Sequence, residues 1–280
     1  MRLLVLALVF FPLLLSAQSR KTKAAYAKGT IYGSVGYDRN WYSQSKINFS
    51  GPGYEFSLNG VTGKDEKSID FSNLGLLQYK AQFGYMIANH WGLSLNYNRM
   101  NYRIPNGNPV LLSGSISPGV DTVTDLNGTY LNQSLTIDTS TFNYQNTALN
   151  FYHIDLSRVD TWVGGRSKDN FAISSILYLG AGAISTKNNF TFGGNKNTET
   201  NSMSGFGITA GLGLRFEFFK YLFLQPTFGS GYIQQLNVNT RSNEANSLAK
   251  QKYVYTNANI SIGFLLYIRP TNSCDSCPHW

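Results

Sequence analysis

Hydrophobic and polar residues alternate along most of this chain with a period of two. In the segment from Phe206 to Phe218, Ile208, Leu212 and Phe216 fall on one face, and glycine, threonine, arginine and glutamate fall on the other. The segment from Val254 to Ile268 repeats this arrangement. Such alternation is typical of a β-strand with one apolar and one polar face, and helical spacings of apolar residues are absent. The pattern therefore predicts an all-β protein.

Eight alternating segments are long enough to cross a bilayer as tilted strands, which takes about 9 to 11 residues. They are Thr30 to Trp41, Leu77 to Ile87, Trp91 to Tyr102, Thr147 to Ser157, Phe171 to Ala183, Phe206 to Phe218, Tyr221 to Gln235 and Val254 to Ile268. An even number of strands suits a closed barrel. The sequence predicts an eight-stranded antiparallel up-and-down transmembrane β-barrel.

Long and short connections alternate between these segments. The long ones are Tyr42 to Leu76, Arg103 to Asn146, Ile184 to Ser204 and Leu236 to Lys250, and the short ones are Ala88 to His90, Arg158 to Asn170 and Phe219 to Lys220. Transmembrane barrels have short periplasmic turns and longer outer loops, so both termini are predicted to be periplasmic. Tyr54, Phe56 and Leu58 also alternate, but a ninth strand would break the parity. They are predicted to form a hairpin extension above the membrane.

The apolar face is predicted to point outward to lipid. A soluble lipocalin-like barrel also has eight strands, but the bulky Phe, Leu, Ile and Tyr side chains exceed what a small lumen holds. The opposite face carries mostly Gly, Ser, Thr, Asn and Gln, which suits a narrow interior. Composition agrees, because only 14% of the residues are charged, against about 25% in soluble domains.

Most charged residues within the strands fall on the inward face. A lumen charge network is predicted for Asp38, Lys80, Asp155, Arg215 and Glu217, because buried ions need partners of opposite charge. Arg99 lies on the outward face, eight residues along a tilted strand and thus about 20 Å above Trp91, at headgroup level. Aromatic residues at the periplasmic strand ends predict a girdle, formed by Trp91, Trp162, Tyr221 and Tyr267.

The two ends of the chain are predicted to lie outside the barrel. Residues 1–17 are typical of a signal peptide, with an apolar run from Leu3 to Leu15 and a small residue at Ala17. A short periplasmic segment (18–28), the barrel (29–268) and a periplasmic tail (269–280) follow. Cys274 and Cys277 lie in the tail, and with His279 they supply three candidate metal ligands where zinc usually takes four. A disulfide or free thiols are predicted there, and no metal site.

The formal net charge of +8 is not gathered into any Lys/Arg-dense stretch. The basic excess therefore favours contact with phosphate-bearing lipid headgroups over nucleic acid. Outer-membrane lipid and lipopolysaccharide are the expected partners, together with an unknown extracellular ligand. No motif indicates a cofactor.

The last strand carries a polar-x-Gly-x-x-apolar-x-apolar pattern at Ser261, Gly263, Leu266 and Ile268. It resembles the signal by which barrel-assembly machinery recognises outer-membrane proteins. Three segments, Gly51 to Ser68, Gln78 to Tyr102 and Leu222 to Ile233, resemble uncharacterised outer-membrane β-barrel proteins of the Bacteroidetes, of the eight-stranded OmpA/OmpW-like type. This resemblance implies a barrel in the outer membrane of a Gram-negative bacterium and the assembly machinery as a partner. It implies no reaction.

His153, Asp155 and Ser157 share one face of the fourth predicted strand and are the residue types of an acyl-transfer triad. Successive residues on a strand face are nearly 7 Å apart, beyond direct hydrogen-bond reach. Inward-facing groups would not meet lipid, and no oxyanion-hole element is evident. The three residues are therefore predicted to form a lumen hydrogen-bond network and not a catalytic site.

These features predict a non-enzymatic envelope protein with a structural or surface-binding role. Ligand binding is expected in the loop from Arg103 to Asn146, which is polar with apolar residues interspersed: Leu111, Leu112, Ile116 and Tyr130. Two alternatives stay open. One is a lipid-modifying acyl hydrolase or transferase that uses His153, and the other is a carrier of small hydrophobic molecules with a cavity that opens between strands.

Overall fold

The computed structural model describes residues 28–65, 78–124, 126–164, 171–196, 199–219, 221–244 and 246–267. Within these ranges the chain forms thirteen β-strands. Eight build the barrel: β1 (Thr30–Tyr42), β4 (Tyr79–Ala88), β5 (Trp91–Arg103), β8 (Asn143–Gly164), β9 (Phe171–Phe192), β11 (Thr200–Phe218), β12 (Leu222–Asn239) and β13 (Leu248–Tyr267). The others are β2 (Gln44–Gly51), β3 (Tyr54–Thr62), β6 (Pro109–Ile116), β7 (Gly128–Thr136) and the short β10 (Asn195–Lys196).

The barrel closes because β1 pairs with both β4 and β13. Every neighbouring pair around the ring, in the order β1-β4-β5-β8-β9-β11-β12-β13, is antiparallel. All eight predicted strands are present. The prediction of an eight-stranded up-and-down antiparallel barrel is confirmed.

Several strands are longer than predicted. β8 and β9 are 22 residues each, and β9 and β11 pair up to Asn188 and Thr200. The prediction of a loop from Ile184 to Ser204 is therefore wrong over most of its length, because the ladder continues beyond the apolar belt with polar residues on the outer face. The turn predicted from Arg158 is also shorter, since β8 runs to Gly164.

The first two long connections form a small sheet, hereafter the cap, made of β2, β3, β6 and β7. β2 and β3 form a hairpin, which confirms the predicted extension at Tyr54, Phe56 and Leu58. β3 pairs with β6, and β6 with β7. The region from Arg103 to Asn146, predicted as a loop, is therefore largely strand. The cap is joined to the barrel because β2 pairs with the upper part of β13.

An exposed apolar belt surrounds the barrel. It includes Val35, Phe83, Leu95, Ile154, Leu179, Leu212, Phe228 and Ile262. The same strands turn buried Ser, Thr and Asn side chains inward. This arrangement confirms the apolar-out prediction, and it is the surface that a membrane-spanning barrel presents to hydrocarbon.

The interior is most polar in the middle of the barrel. Near the end with the short turns, hereafter the turn end, an apolar cluster packs beside buried charged side chains such as Arg215 and Glu217. The cluster consists of Tyr32, Met86, Val159, Ile176, Tyr178, Phe223 and Leu265. At the cap end, inward residues such as Leu149, Phe151 and Tyr253 join β2, β3 and β6 in a larger apolar core. The expectation of a hydrophilic interior is therefore wrong at the cap end and only partly right at the turn end.

Candidate functional site

The polar middle of the lumen contains a hydrogen-bonded chain centred on His153 of β8. Its Nδ1 lies 2.5 Å from Oδ1 of Asp155, and its Nε2 lies 3.1 Å from Oδ1 of Asn98. The Asn98 amide nitrogen in turn donates to Oδ2 of Asp38 over 3.0 Å. Asn257 donates to the other Asp38 oxygen over 3.4 Å. All five side chains are buried.

Hydrogen-bond partners hold both ring nitrogens of His153. Because Asn98 donates through its nitrogen to Asp38, its Oδ1 faces Nε2 of His153 as the acceptor. Asp155 contacts the other ring nitrogen, Nδ1. The imidazole is therefore fixed in the lumen by Asp155 on its own strand and by Asn98 on β5.

Two neighbours shape the surroundings of this pair. The ring of Phe151 stacks on the imidazole of His153 at 4.4 Å and marks the boundary with the apolar core above. Gly180 on β9 lies opposite Asp155, and a Cβ built there would lie 1.8 Å from the carboxylate oxygen. The absence of a side chain at Gly180 thus makes room for Asp155. Close approach of this kind is a common reason for glycine within a strand.

The structure does not bring Ser157 together with His153 and Asp155 as a catalytic triad. Ser157 donates to the Gly92 carbonyl over 3.3 Å and lies 3.5 Å from the Tyr32 hydroxyl. The expectation that spacing keeps His153 and Asp155 beyond hydrogen-bond reach is wrong, because the two side chains lean toward each other along the strand. His153 is 2% exposed, and its ring nitrogens are both engaged.

The five predicted lumen charges are all buried and separate into two levels. Asp38, Lys80 and Asp155 lie in the middle, where Nζ of Lys80 lies 4.9 Å from the Tyr178 ring centroid.

Arg215 and Glu217 lie nearer the turn end. The guanidinium of Arg215 is 4.2 Å from the Phe223 ring and 5.2 Å from the Tyr32 ring. Its Nε donates to Gln225 over 2.8 Å, and Ser174 donates to Glu217 over 3.2 Å.

The aromatic residues predicted to form a girdle are exposed near the turn end: Trp91, Trp162, Tyr221 and Tyr267. Of the predicted assembly signal, Ser261 and Gly263 are buried toward the lumen and Leu266 is exposed, and Ile268 lies outside the described residues. Residues 1–17 and the tail cysteines also lie outside them. Arg99 lies on the outer face of β5, two residues beyond Tyr97.

A second candidate site is a cavity of about 250 Å³ between the cap and the top of the barrel. Its apolar lining comes from three sources: Phe56 and Leu58 of β3, Leu112 and Ile116 of β6, and Leu126, Leu135, Ile137, Phe142 and Phe192 from the surrounding loops and strands. Five polar residues complete the lining: Asp121, Thr124, Thr136, Asp138 and Thr141.

Both carboxylates in this lining also accept hydrogen bonds that stabilise neighbouring turns. Oδ1 of Asp121 accepts the backbone N–H groups of Val123 and Thr124, each over 3.0 Å. Burial alone would raise the pKa of Asp121, but these bonds and the Thr124 hydroxyl hold it below its usual value. The Ser140 backbone N–H and hydroxyl donate to Asp138 and lower its pKa as well. Both groups are therefore anionic at neutral pH.

Sequence reasoning found part of this cavity. Leu112 and Ile116 line it, whereas Leu111 points away and is exposed. The Tyr130 hydroxyl donates to the Asn127 carbonyl over 2.9 Å. Phe142 and Phe192 were missed. Phe190 and Phe192 alternate with Asn189 and Thr191, and this apolar-inward pattern beyond the membrane-spanning part was the available signal.

Among the described residues, no group of three or more His, Cys, Asp or Glu side chains could hold a metal ion. Within the same ranges, no helix is long and apolar enough to cross a membrane.

No protein-family model matches the chain, and no curated protein matches it in sequence. Solved structures with some likeness include the outer membrane protein OprG from Pseudomonas aeruginosa, at 13% identity over 88% of this chain and 100% of that one, with a TM-score of 0.39. Ail of Yersinia pestis, in complex with the heparin analogue sucrose octasulfate, has 13% identity over 85% and 99%, with a TM-score of 0.35. The outer membrane protease OmpT from Escherichia coli has 9% identity over 89% and 100%, with a TM-score of 0.39. These values are too low to transfer a family, a site or an activity.

Proposed function

We propose that this protein is a non-enzymatic outer-membrane barrel whose cap binds a small apolar ligand at the cell surface. The location is supported by the apolar belt and by the contrast between the short turns at one end and the cap at the other. Because outer-membrane barrels have short periplasmic turns, the cap would face outward and both termini would be periplasmic. The sequence resemblance to outer-membrane barrels of the Bacteroidetes supports the same placement.

The observation that carries the proposed role is the cavity beneath the cap. An engineered apolar cavity of about 150 Å³ binds benzene, so a cavity of about 250 Å³ accommodates a somewhat larger molecule. Aromatic and aliphatic walls with a few polar groups are typical of small-molecule sites. Because Asp121 and Asp138 are anionic, a ligand with an apolar body and a cationic end is favoured over one with an anionic end.

The lumen supports the two alternative functions less well. For a lipid-modifying enzyme, His153 would have to meet a lipid, but it is buried and turned inward. For a carrier, a path would have to lead through the interior, but apolar side chains pack into the lumen on both sides of the polar layer.

Binding is tested on the full barrel in lipid nanodiscs with two probes of similar size, 2-phenylethylamine and 3-phenylpropionate. Saturation-transfer NMR measures which probe binds and how tightly. The matched variants are Leu112→Trp, which fills the cavity, and Leu111→Trp, which places the same bulk on the opposite face of β6. Heat-modifiable migration on a gel verifies that each variant is folded.

We expect the amine to bind the native protein and Leu111→Trp alike, and binding to Leu112→Trp to fall at least tenfold. Equal binding to both tryptophan variants would remove the cavity as the site. Tighter binding of the carboxylate probe would contradict the proposal that Asp121 and Asp138 favour a cationic ligand.

The non-enzymatic part of the proposal has its own test. A strain that carries His153→Ala is expected to produce unchanged lipid A, as measured by mass spectrometry. Loss of an acyl-chain modification in that strain would restore the enzyme alternative.

A further inference from the structure

Three exposed lysines form a basic patch on the outer surface where the barrel meets the cap. Lys250 and Lys252 lie on the outward face of β13, and Lys46 lies on the outward face of β2. Lys252 and Lys46 are direct cross-strand partners. Cross-strand partners have Cβ atoms about 5 Å apart, and residues two apart on a strand face are about 7 Å apart. The three ammonium groups therefore share one small area.

Among the described residues, no acidic side chain compensates the charge of the patch. The flanking outward positions hold Asn48, opposite Lys250, and Gln234, opposite Lys252. Within the described part of the chain, none of the three lysines has a carboxylate within ion-pair distance. By contrast, Lys187 pairs with Glu199. Like charges directly opposite each other destabilise a sheet, so a bound anion would relieve the repulsion between Lys46 and Lys252.

The height of the patch indicates which anion it meets. Trp41, an exposed aromatic residue of β1, is opposite Thr256 of β13, and Lys252 lies four residues farther along that strand. This spacing is about 13 Å along the strand, or about 10 Å along the membrane normal for a typical tilt. Lysine side chains bend toward the interface, so their ammonium groups reach the level of lipid headgroups.

The outer surface below the patch suits the chains of such a lipid. Going down β13 from Lys252, the outward residues are Val254, Thr256, Ala258 and Ile260, so the wall turns from basic to mostly apolar. Arg39 lies on the outward face of β1, opposite Ala258. An acyl chain along this wall would place its headgroup toward the lysine patch.

We propose that the patch of Lys46, Lys250 and Lys252 binds the phosphate groups of a lipid in the leaflet nearer the cap. Its acyl chains lie along the apolar outer wall of β13 below the patch, beside Arg39. This site lies on the outer wall, separate from the cavity, so its test does not depend on the proposed ligand role of the cap.

The test uses native mass spectrometry of the full barrel in detergent with bis-phosphorylated lipid A, mono-phosphorylated lipid A or phosphatidylcholine. The test variant is K46Q/K250Q/K252Q. The control is K28Q/K64Q/K196Q, which removes the same charge from exposed lysines elsewhere. Inorganic phosphate is added in a separate arm as a competitor.

The native protein and the control are expected to retain bis-phosphorylated lipid A more strongly than the other two lipids. Each basic side chain near an anionic surface changes affinity by about fivefold, so the test variant should lose retention by on the order of a hundredfold. Equal retention by the test variant and the control would overturn the site. Displacement by millimolar inorganic phosphate would overturn the lipid assignment in favour of a free anion.

If lipid retention is too weak for mass spectrometry, the melting temperature of each variant with and without lipid provides a second measurement. Bis-phosphorylated lipid A should raise the melting temperature of the native protein and of the control but not of the test variant. In neutral detergent the test variant should melt at the same temperature as the native protein or higher, because the repulsion between Lys46 and Lys252 is gone. A test variant that lipid A stabilises as much as it does the native protein would contradict the proposal.

Discussion

The middle of the lumen and the apolar core beneath the cap share several barrel strands, but the inward side chains of these strands have opposite chemistry in the two regions. On β13, Asn257, Asn259 and Ser261 face inward in the middle of the barrel, whereas Tyr253 and Tyr255 face inward beneath the cap. The outward residues of β13 change in the opposite sense, from apolar Ile260 and Ile262 to charged Lys250 and Lys252. Apolar and polar residues alternate throughout the strand, but the apolar face changes from the outside to the inside.

This difference shows that the medium around the outer face determines whether polar or apolar side chains fill the interior. Where hydrocarbon surrounds the barrel, apolar side chains face out, and the narrow interior is held by hydrogen bonds. Where water surrounds it, polar side chains face out, and apolar burial stabilises the interior as in a soluble protein. The exchange on β13 and the switch from His153 to Phe151 on β8 mark the membrane boundary.

The largest effect is expected in the cap core. Phe49 stacks on Phe56 at 5.2 Å and on Phe190 at 5.3 Å and is buried. Phe49→Ala should destabilise the cap by about 4 kcal/mol, because it leaves a cavity among these rings. Limited proteolysis should then cut within the cap while the barrel stays heat-modifiable.

Leu131→Ala is the control for this change, since Leu131 is 86% exposed on β7 and its truncation should change little. Loss of the barrel together with the cap in Phe49→Ala would show that the two regions are not separate in stability.

In the lumen the corresponding change is Asp155→Leu. It removes the partner of Nδ1 of His153 at a buried position and should destabilise the barrel by about 3 kcal/mol, as measured by urea unfolding in lipid vesicles. The double variant His153→Leu/Asp155→Leu should recover most of the loss, because apolar residues then replace both partners. A double variant no more stable than the single one would refute the pairing.

A smaller effect is expected at Gly180. The Gly180→Ala methyl group would overlap the Asp155 carboxylate and should cost about 2 kcal/mol of barrel stability. The same unfolding assay measures it, and adding Gly180→Ala to Asp155→Ala, which lacks Cγ and the carboxylate oxygens, gives its dependence on Asp155. An identical cost with and without the carboxylate would place the clash elsewhere.

The smallest effect concerns Asp138 at the rim of the cap. Its folded-state pKa is lowered by the hydrogen bonds from Ser140, so the turn is stabilised above the ordinary pKa of 3.8. That stabilisation is lost as the pH falls through the lower folded-state value. Amide exchange at Ser140 should therefore accelerate only in strong acid, and not in Asp138→Asn. Acceleration already near neutral pH would contradict the assignment.

Strand number, pairing order and outward apolar faces followed from the sequence because alternation is a local signal. The hydrogen-bonded chain around His153 was not predicted, because Asn98 and Asp38 come from other strands. The spacing of residues along one strand also does not determine how their side chains tilt toward each other. The cap was missed beyond its first hairpin because β6 and β7 are short, and neither shows sustained alternation. The cavity itself was not predicted, because Phe56, Leu112 and Phe192 come from three different strands and meet only through tertiary pairing.

The double pairing of β13 also sets an order of events during biogenesis. This last strand closes the ring through β1 along Tyr255 to Tyr267 and holds β2 through Leu248 to Lys252. Because β2 lacks its partner on the barrel wall until β13 has been translated, the cap can dock through β2 only after the last of these strands has been made.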